Sequence, residues 1–260
     1  MVPERLQPWL KALASPVILV LLWEATVRAG LVDAELLPSP TQILVALREI
    51  GAAELMPELA ATLFRIAVGF ALAAVFGVLL GSWMALSERA NGFFYPILAS
   101  TYAIPKSSFI PLFILWFGIG FWPIVLVVFI ACALPVVVYT FHGISDVPRL
   151  RIWSALSFGV SGRDLFWSVQ LPAAMPEILV GMRIALGFAF TVAIAGEMIV
   201  STTGLGKLIF SYGEGGVYAS MFAVISVLLV VAYLADLLFM AFMNHYLRWL
   251  DRGHVSGGHA

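Results

Sequence analysis

The chain has 260 residues, 62% of them apolar and only 11% charged, with a mean hydropathy of +1.02. Soluble domains are about half apolar and a quarter charged, so this composition excludes an ordinary soluble fold and points to a polytopic membrane protein. A net charge of −1 says nothing about nucleic acid, and no basic cluster suggests it; a single cysteine, Cys132, excludes an internal disulfide or a cysteine metal site.

Crossing about 30 Å of hydrocarbon takes roughly 20 apolar residues in a helix. Six segments meet or approach this length: residues 12–29, 60–86, 93–117, 121–141, 178–200 and 217–243. They are continuous and lack the alternation of a membrane barrel. The expected fold class is all-α and polytopic, with about six transmembrane helices. The first segment follows Lys11 and imitates a secretory signal, but Glu24 and Arg28 precede any cleavage site and more spans follow. It reads as an uncleaved span.

The basic residues divide unevenly between the two sides. Arg5, Lys11, Arg89, Arg149, Arg151, Arg163, Arg248 and Arg252 fall on one; Arg48 and Lys207 fall on the other, with Arg28 and Arg65 near span ends. This bias predicts cytoplasmic termini and a cytoplasmic loop over 142–177.

Residues 30–59 are then extracytoplasmic. Leu37-Pro38-Ser39-Pro40 is extended, and Thr41 is the predicted cap of a short surface helix over 42–50, with Ile43, Leu44 and Leu47 on one face. In the second span Ala73, Gly77 and Gly81 share a face and predict close helix packing. Pro96, Pro105 and Pro111 break the third span and place Lys106, Ser107 and Ser108 near mid-membrane. A lysine there costs at least about 2.5 kcal/mol on insertion scales, so Lys106 faces either a solute pathway or a carboxylate. Glu197 in the fifth span is the expected partner; Asp236 in the last span competes, and a hydrated Glu197 at the outer end is the other reading.

Gly204-Leu205-Gly206-Lys207 imitates a phosphate loop but has Ser at 201 and Leu at 208, where that loop needs Gly and Ser or Thr. These glycines read as a turn between spans. His142, His245, His254 and His259 have no metal-ligand spacing, and no catalytic set is visible. The chain therefore carries no catalytic or metal site of its own, and no cofactor.

The 142–177 loop is the longest polar interruption. Pro148 opens a predicted helix over 149–158, Gly159 closes it, and a second helix over 163–169 stops before Leu171-Pro172. Trp153, Leu156, Phe158, Val160, Leu165, Phe166 and Trp167 give this helix–turn–helix an apolar face, covered either by the spans or by a partner's groove.

Ala155, three residues, Gly159, nine residues and Val169-Gln170-Leu171-Pro172 match the spacing of a cytoplasmic motif written E-A-A, three residues, G, nine residues, I-x-L-P. Trp153 and Ser154 stand where that motif has Glu and Ala. Through it the chain resembles the permease subunits of bacterial ABC importers of type I. Trp23-Glu24, Leu37-Pro38-Ser39-Pro40, Thr62-Leu63-Phe64-Arg65-Ile66, Trp116-Phe117-Gly118-Ile119-Gly120 and Ala195-Gly196-Glu197-Met198-Ile199 extend the likeness to the nitrate/sulfonate/taurine branch.

The resemblance implies a pore subunit in the bacterial inner membrane, with its termini in the cytoplasm. It divides the chain into an N-terminal span and external segment (1–57), a permease domain (58–247) and a cytoplasmic tail (248–260). It implies two ATPase subunits, which carry the ATP and magnesium, and a second permease subunit, identical or not. It also implies an external binding protein that delivers a small solute, a sulfonate, taurine, nitrate or similar small anion, although related members carry other small organic solutes. Trp153, Ser154, Ala155, Phe158, Gly159, Val169, Leu171 and Pro172 would form the ATPase-coupling loop. Lys106, Ser107, Ser108 and Glu197 remain pathway or ion-pair candidates. An ion-gradient-driven secondary transporter is the rival from another class; it predicts repeated halves, which the chain does not display.

Overall fold

The computed structural model describes residues 7–248, with side chains described from residue 15. Arg5, Arg252, His254, His259, the side chain of Lys11 and the tail beyond 248 lie outside the described residues. The described residues contain helices and no strand. The helices are α1 (Gln7–Arg28), α2 (Pro40–Leu86), α3 (Glu88–Tyr102), α4 (Ile110–Phe117), α5 (Phe121–Ser145), α6 (Arg149–Ser157), α7 (Gly162–Leu165), α8 (Leu171–Val200), α9 (Leu205–Glu214) and α10 (Tyr218–Tyr246). Four of them, α2, α5, α8 and α10, are long and apolar enough to cross a bilayer, and the bent third span adds a fifth. With α1, 22 residues long, they make up the expected set of about six.

The centre is α5. Ile124, Val125, Val127, Val128, Cys132 and Val136 are fully buried, because α2 covers one side of the helix and α8 another. The small residues of the second span make this possible. A Cβ on Gly69, Gly77 or Gly81 would come within 2.7, 2.6 and 2.6 Å of Val128, Val136 and the Val137 carbonyl. A Cβ on Gly181 of α8 would reach 2.5 Å from Tyr139. Without hydrophobic drive inside lipid, close backbone approach of this kind is what holds spans together.

Three boundaries differ from expectation. Ser39, not Thr41, caps α2: its hydroxyl accepts from Gln42 N while Gln42 reaches back to Ser39 N at 2.8 Å. Pro40 at the first helical position fits, since its missing N–H is an orphan there anyway. Thr41 instead bonds Glu24 through both its backbone N–H and its hydroxyl (3.1 and 2.8 Å), tying α1 to α2. Ile43 and Ala46 are buried while Leu44 is exposed. The predicted surface helix and the second span are separate helical segments within α2, joined across a kink at Gly51, whose non-helical φ of +70° and ψ of 165° suit glycine.

Ser87 caps α3 through Ala90 N, so the third span starts at Glu88 rather than at 93. The break is where the prolines put it: α3 and the segment Lys106–Phe117 meet at 98°.

The second loop helix does not stop before Leu171-Pro172. It continues through a wide turn, Phe166–Gln170, directly into α8. Leu171 N bonds the carbonyl of Phe166, five residues back. This widening gives Pro172, which has no N–H to donate, a place in an unbroken helix.

Candidate functional site

The loop helix α6 ends as its glycine predicts. Gly159 N donates to Leu156 O (2.9 Å) and Val160 N to Ala155 O (3.1 Å), closing the last turn with Gly159 at φ +83°. This paired closure needs a left-handed residue just past the helix. A Cβ on Gly159 would meet nothing within 4 Å, so backbone angle rather than space selects glycine.

Part of the loop's apolar face belongs to the bundle: Phe166 and Leu171 pack on Ile144, Ala174 and Ile178. The rest is uncovered. Leu150, Trp153, Phe158 and Trp167 are 76%, 60%, 86% and 64% exposed. Ser154 and Gly159 are exposed beside them, Ala155 and Val169 are partly buried, and Pro172 lies at the root of α8.

At the other end of the bundle is a buried polar node. Arg65 Nη1 donates to Glu197 Oε1 at 2.6 Å and to Thr203 O at 2.8 Å, and Nη2 donates to Thr203 Oγ1 at 2.6 Å. Thr62 Oγ1 and Gly206 N donate to Glu197 Oε2 at 2.8 and 3.0 Å, and Leu205 N donates to Thr62 Oγ1 at 2.8 Å. Glu58 accepts from Gly204 N and lies 3.8 Å from Lys207 Nζ. The carboxylates thus sit on the free N–H groups that start α9.

Nearby, Tyr212 donates to Glu54 at 2.9 Å; burial and that carboxylate push its hydroxyl up to about 12. Gly204-Leu205-Gly206 is a turn, as expected, but it also cradles a carboxylate. A Cβ on Gly206 would lie 2.6 Å from Glu197 Cβ.

The Lys106–Glu197 pairing does not form. Glu197 is 1% exposed and takes Arg65 instead, which also excludes the hydrated reading. The partner was discernible: Thr62 and Arg65 share a helix face, and Arg65 lies about as far into its span as Glu197 does into its own. Lys106, by contrast, is at mid-span. Asp236 is taken by Arg183 in a two-pronged pair at 2.7 and 2.8 Å. Lys106 Nζ donates to Tyr102 O at 2.8 Å and lies 5.6 Å from the centre of the Tyr102 ring. It lines a cavity with Ser107; Ser108 is exposed.

A bundle of apolar spans around one buried helix, with a broken span and an uncovered loop helix at one end, defines a multi-span membrane protein. Residues 73–252 match the model of the binding-protein-dependent transport system inner membrane component. The chain belongs to that family, the permeases of ABC importers.

Among its relatives is the taurine transport system permease protein TauC of Escherichia coli (strain K12), 34% identical over 89% of this chain and 86% of that one. A Bacillus subtilis (strain 168) permease protein, SsuC, named for aliphatic sulfonates transport, is 31% identical over 93% of this chain and 88% of that one. The formylaminopyrimidine transport permease protein ThiX of Halalkalibacterium halodurans is 32% identical over 84% and 88%. Among solved structures, the inward facing MetNI methionine ABC transporter aligns with a TM-score of 0.63 at 17% identity, over 72% of this chain and 93% of that one. That likeness carries the fold.

Proposed function

We propose that this chain is the pore subunit of an ATP-driven importer for a small organic anion of the sulfonate type. It is fed by an external binding protein and driven by two ATPase subunits that hold the loop 153–172. A second permease subunit, of the same chain or a paired one, completes the pore. Both termini and this loop face the cytoplasm, as the distribution of Lys and Arg supports.

The observation that carries this reading is α6: a short, well-closed helix that offers Leu150, Trp153 and Phe158 to the outside. An amphipathic helix of this kind fits a groove on a partner. ATP-driven closure of the motors would move the loop. Because α7 runs without a break into α8, a push there would tilt a whole span that is packed on α5. The relatives named for taurine and aliphatic sulfonates support the substrate class.

The test is extraction of the tagged chain in mild detergent and identification of what accompanies it, followed by uptake in proteoliposomes. An ATPase that co-purifies, with ATP-dependent taurine uptake, is the expected result. A chain that purifies without an ATPase and moves solute on an ion gradient alone would overturn the reading.

A further inference from the structure

The bent third span, α5 and α8 flank an open-sided cavity of about 280 Å³ lined by Tyr102, Lys106, Ser107, Ala131, Pro135 and Phe188, among others. Residues 131–135 and 188 lie near the middles of α5 and α8, so the cavity sits at half depth. This is the depth at which transporters with broken helices hold their cargo. The volume is at the small end of ligand sites and suits a solute of a few heavy atoms with some water.

The cavity holds one formal positive charge without a counter-ion. The four salt bridges among the described residues use Arg28, Arg65, Arg183 and Lys207, and none uses Lys106. Lys106 is held only by a backbone carbonyl and an aromatic ring. An ammonium has three protons to give, so two remain for a ligand. Ser107 supplies a hydroxyl on the same wall. Pro135 has no N–H to give to the carbonyl of Ala131, so the α5 wall carries a carbonyl without its usual helical donor. An ionised lysine at this depth is costly unless it is compensated, and the wall offers no carboxylate.

We propose that Lys106 and Ser107 form an anion subsite on the transport path, which binds the sulfonate or carboxylate end of the solute as it passes mid-membrane. Tyr102 and Phe188 give its short carbon chain an apolar wall. The subsite rests on the importer reading above and adds a discriminating step inside the membrane, after delivery from outside.

The test uses the complete transporter in proteoliposomes with its binding protein, and follows labelled taurine uptake and ATP hydrolysis in parallel. Lys106→Gln should lower uptake by roughly tenfold, the loss of one charge-assisted hydrogen bond, while ATP hydrolysis stimulated by the loaded binding protein stays near wild type. Lys106→Arg should keep most of the uptake, and Ser107→Ala should lose several-fold.

Wild-type uptake by Lys106→Gln overturns the subsite, as does equal loss of uptake and hydrolysis, which would make Lys106 structural. If Lys106→Gln does not assemble, Ser107→Ala decides: reduced uptake with normal hydrolysis supports the subsite, and unchanged uptake overturns it. A wild-type transporter that moves formylaminopyrimidine but not taurine overturns the anion class and leaves the importer standing. ATP-driven uptake of neither overturns the importer reading, and the subsite with it.

Discussion

Replacing Arg65 by Met tests the buried node most sharply. The change removes the partner of a carboxylate that is 1% exposed, together with two bonds to Thr203 in the turn before α9. Removing one partner of a buried pair costs about 3–5 kcal/mol, because the remaining charge is left uncompensated. At roughly 2–4 °C per kcal/mol for a chain of this size, the melting temperature should fall by about 6–20 °C. Glu197→Met should fall comparably, since Gly206 N and Arg65 both lose their acceptor.

The double variant should recover part of the loss, because neither charge is then orphaned, but not all of it: Gly206 N–H still lacks a partner. Thermal unfolding of the purified permease in detergent, read by tryptophan fluorescence, gives the full cycle. Two single variants that each melt within about 2 °C of wild type, with additive effects, would refute the claim that this pair joins α2, α8 and α9.

Gly206→Ala should destabilise by about 1–3 kcal/mol through overpacking, since its Cβ would meet the Ile194 carbonyl and Glu197 Cβ at 2.6 Å; a melting point equal to wild type would show that the cradle yields. Gly159→Asp should still reach the membrane, because space around it is open and the cost is confined to the left-handed φ of one exposed turn, yet lose at least about tenfold in ATP-coupled uptake as a docking contact is spoiled. Unchanged uptake would remove the loop from the coupling path. Arg183→Gln should reduce the amount of assembled protein, and Arg183→Gln with Asp236→Asn should restore it, because the pair lies within the spans; immunoblots of membranes decide. Emission from Trp153, isolated by comparison with Trp153→Phe, should shift to the blue when the ATPase is added.

Features set by local chemistry were readable from the residues. The proline breaks at Lys106, the left-handed turn at Gly159 and the small-residue face of α2 each follow from a backbone angle, a missing N–H or a missing Cβ. The Ser39 cap was also within reach, since Pro40 marks the first helical position. What was not readable depends on which spans meet and at what height. Arg65 and Glu197 are 132 residues apart, and hydropathy gives a span's limits but not its neighbours. The wide turn before Pro172 was hidden for another reason: proline ordinarily ends a helix, and only the five-residue bond from Leu171 N to Phe166 O shows that this one passes through.

If an ATPase holds the chain by the loop 153–172, it must lie against the exposed side chains of α6. The most direct measurement is a photo-crosslinking residue placed at Phe158, which is 86% exposed, with Leu229 on α10, 64% exposed, as the control. An adduct with the ATPase subunit is expected from position 158 and none from 229. An adduct with lipid or with another permease only, and no ATPase from position 158, would contradict this docking.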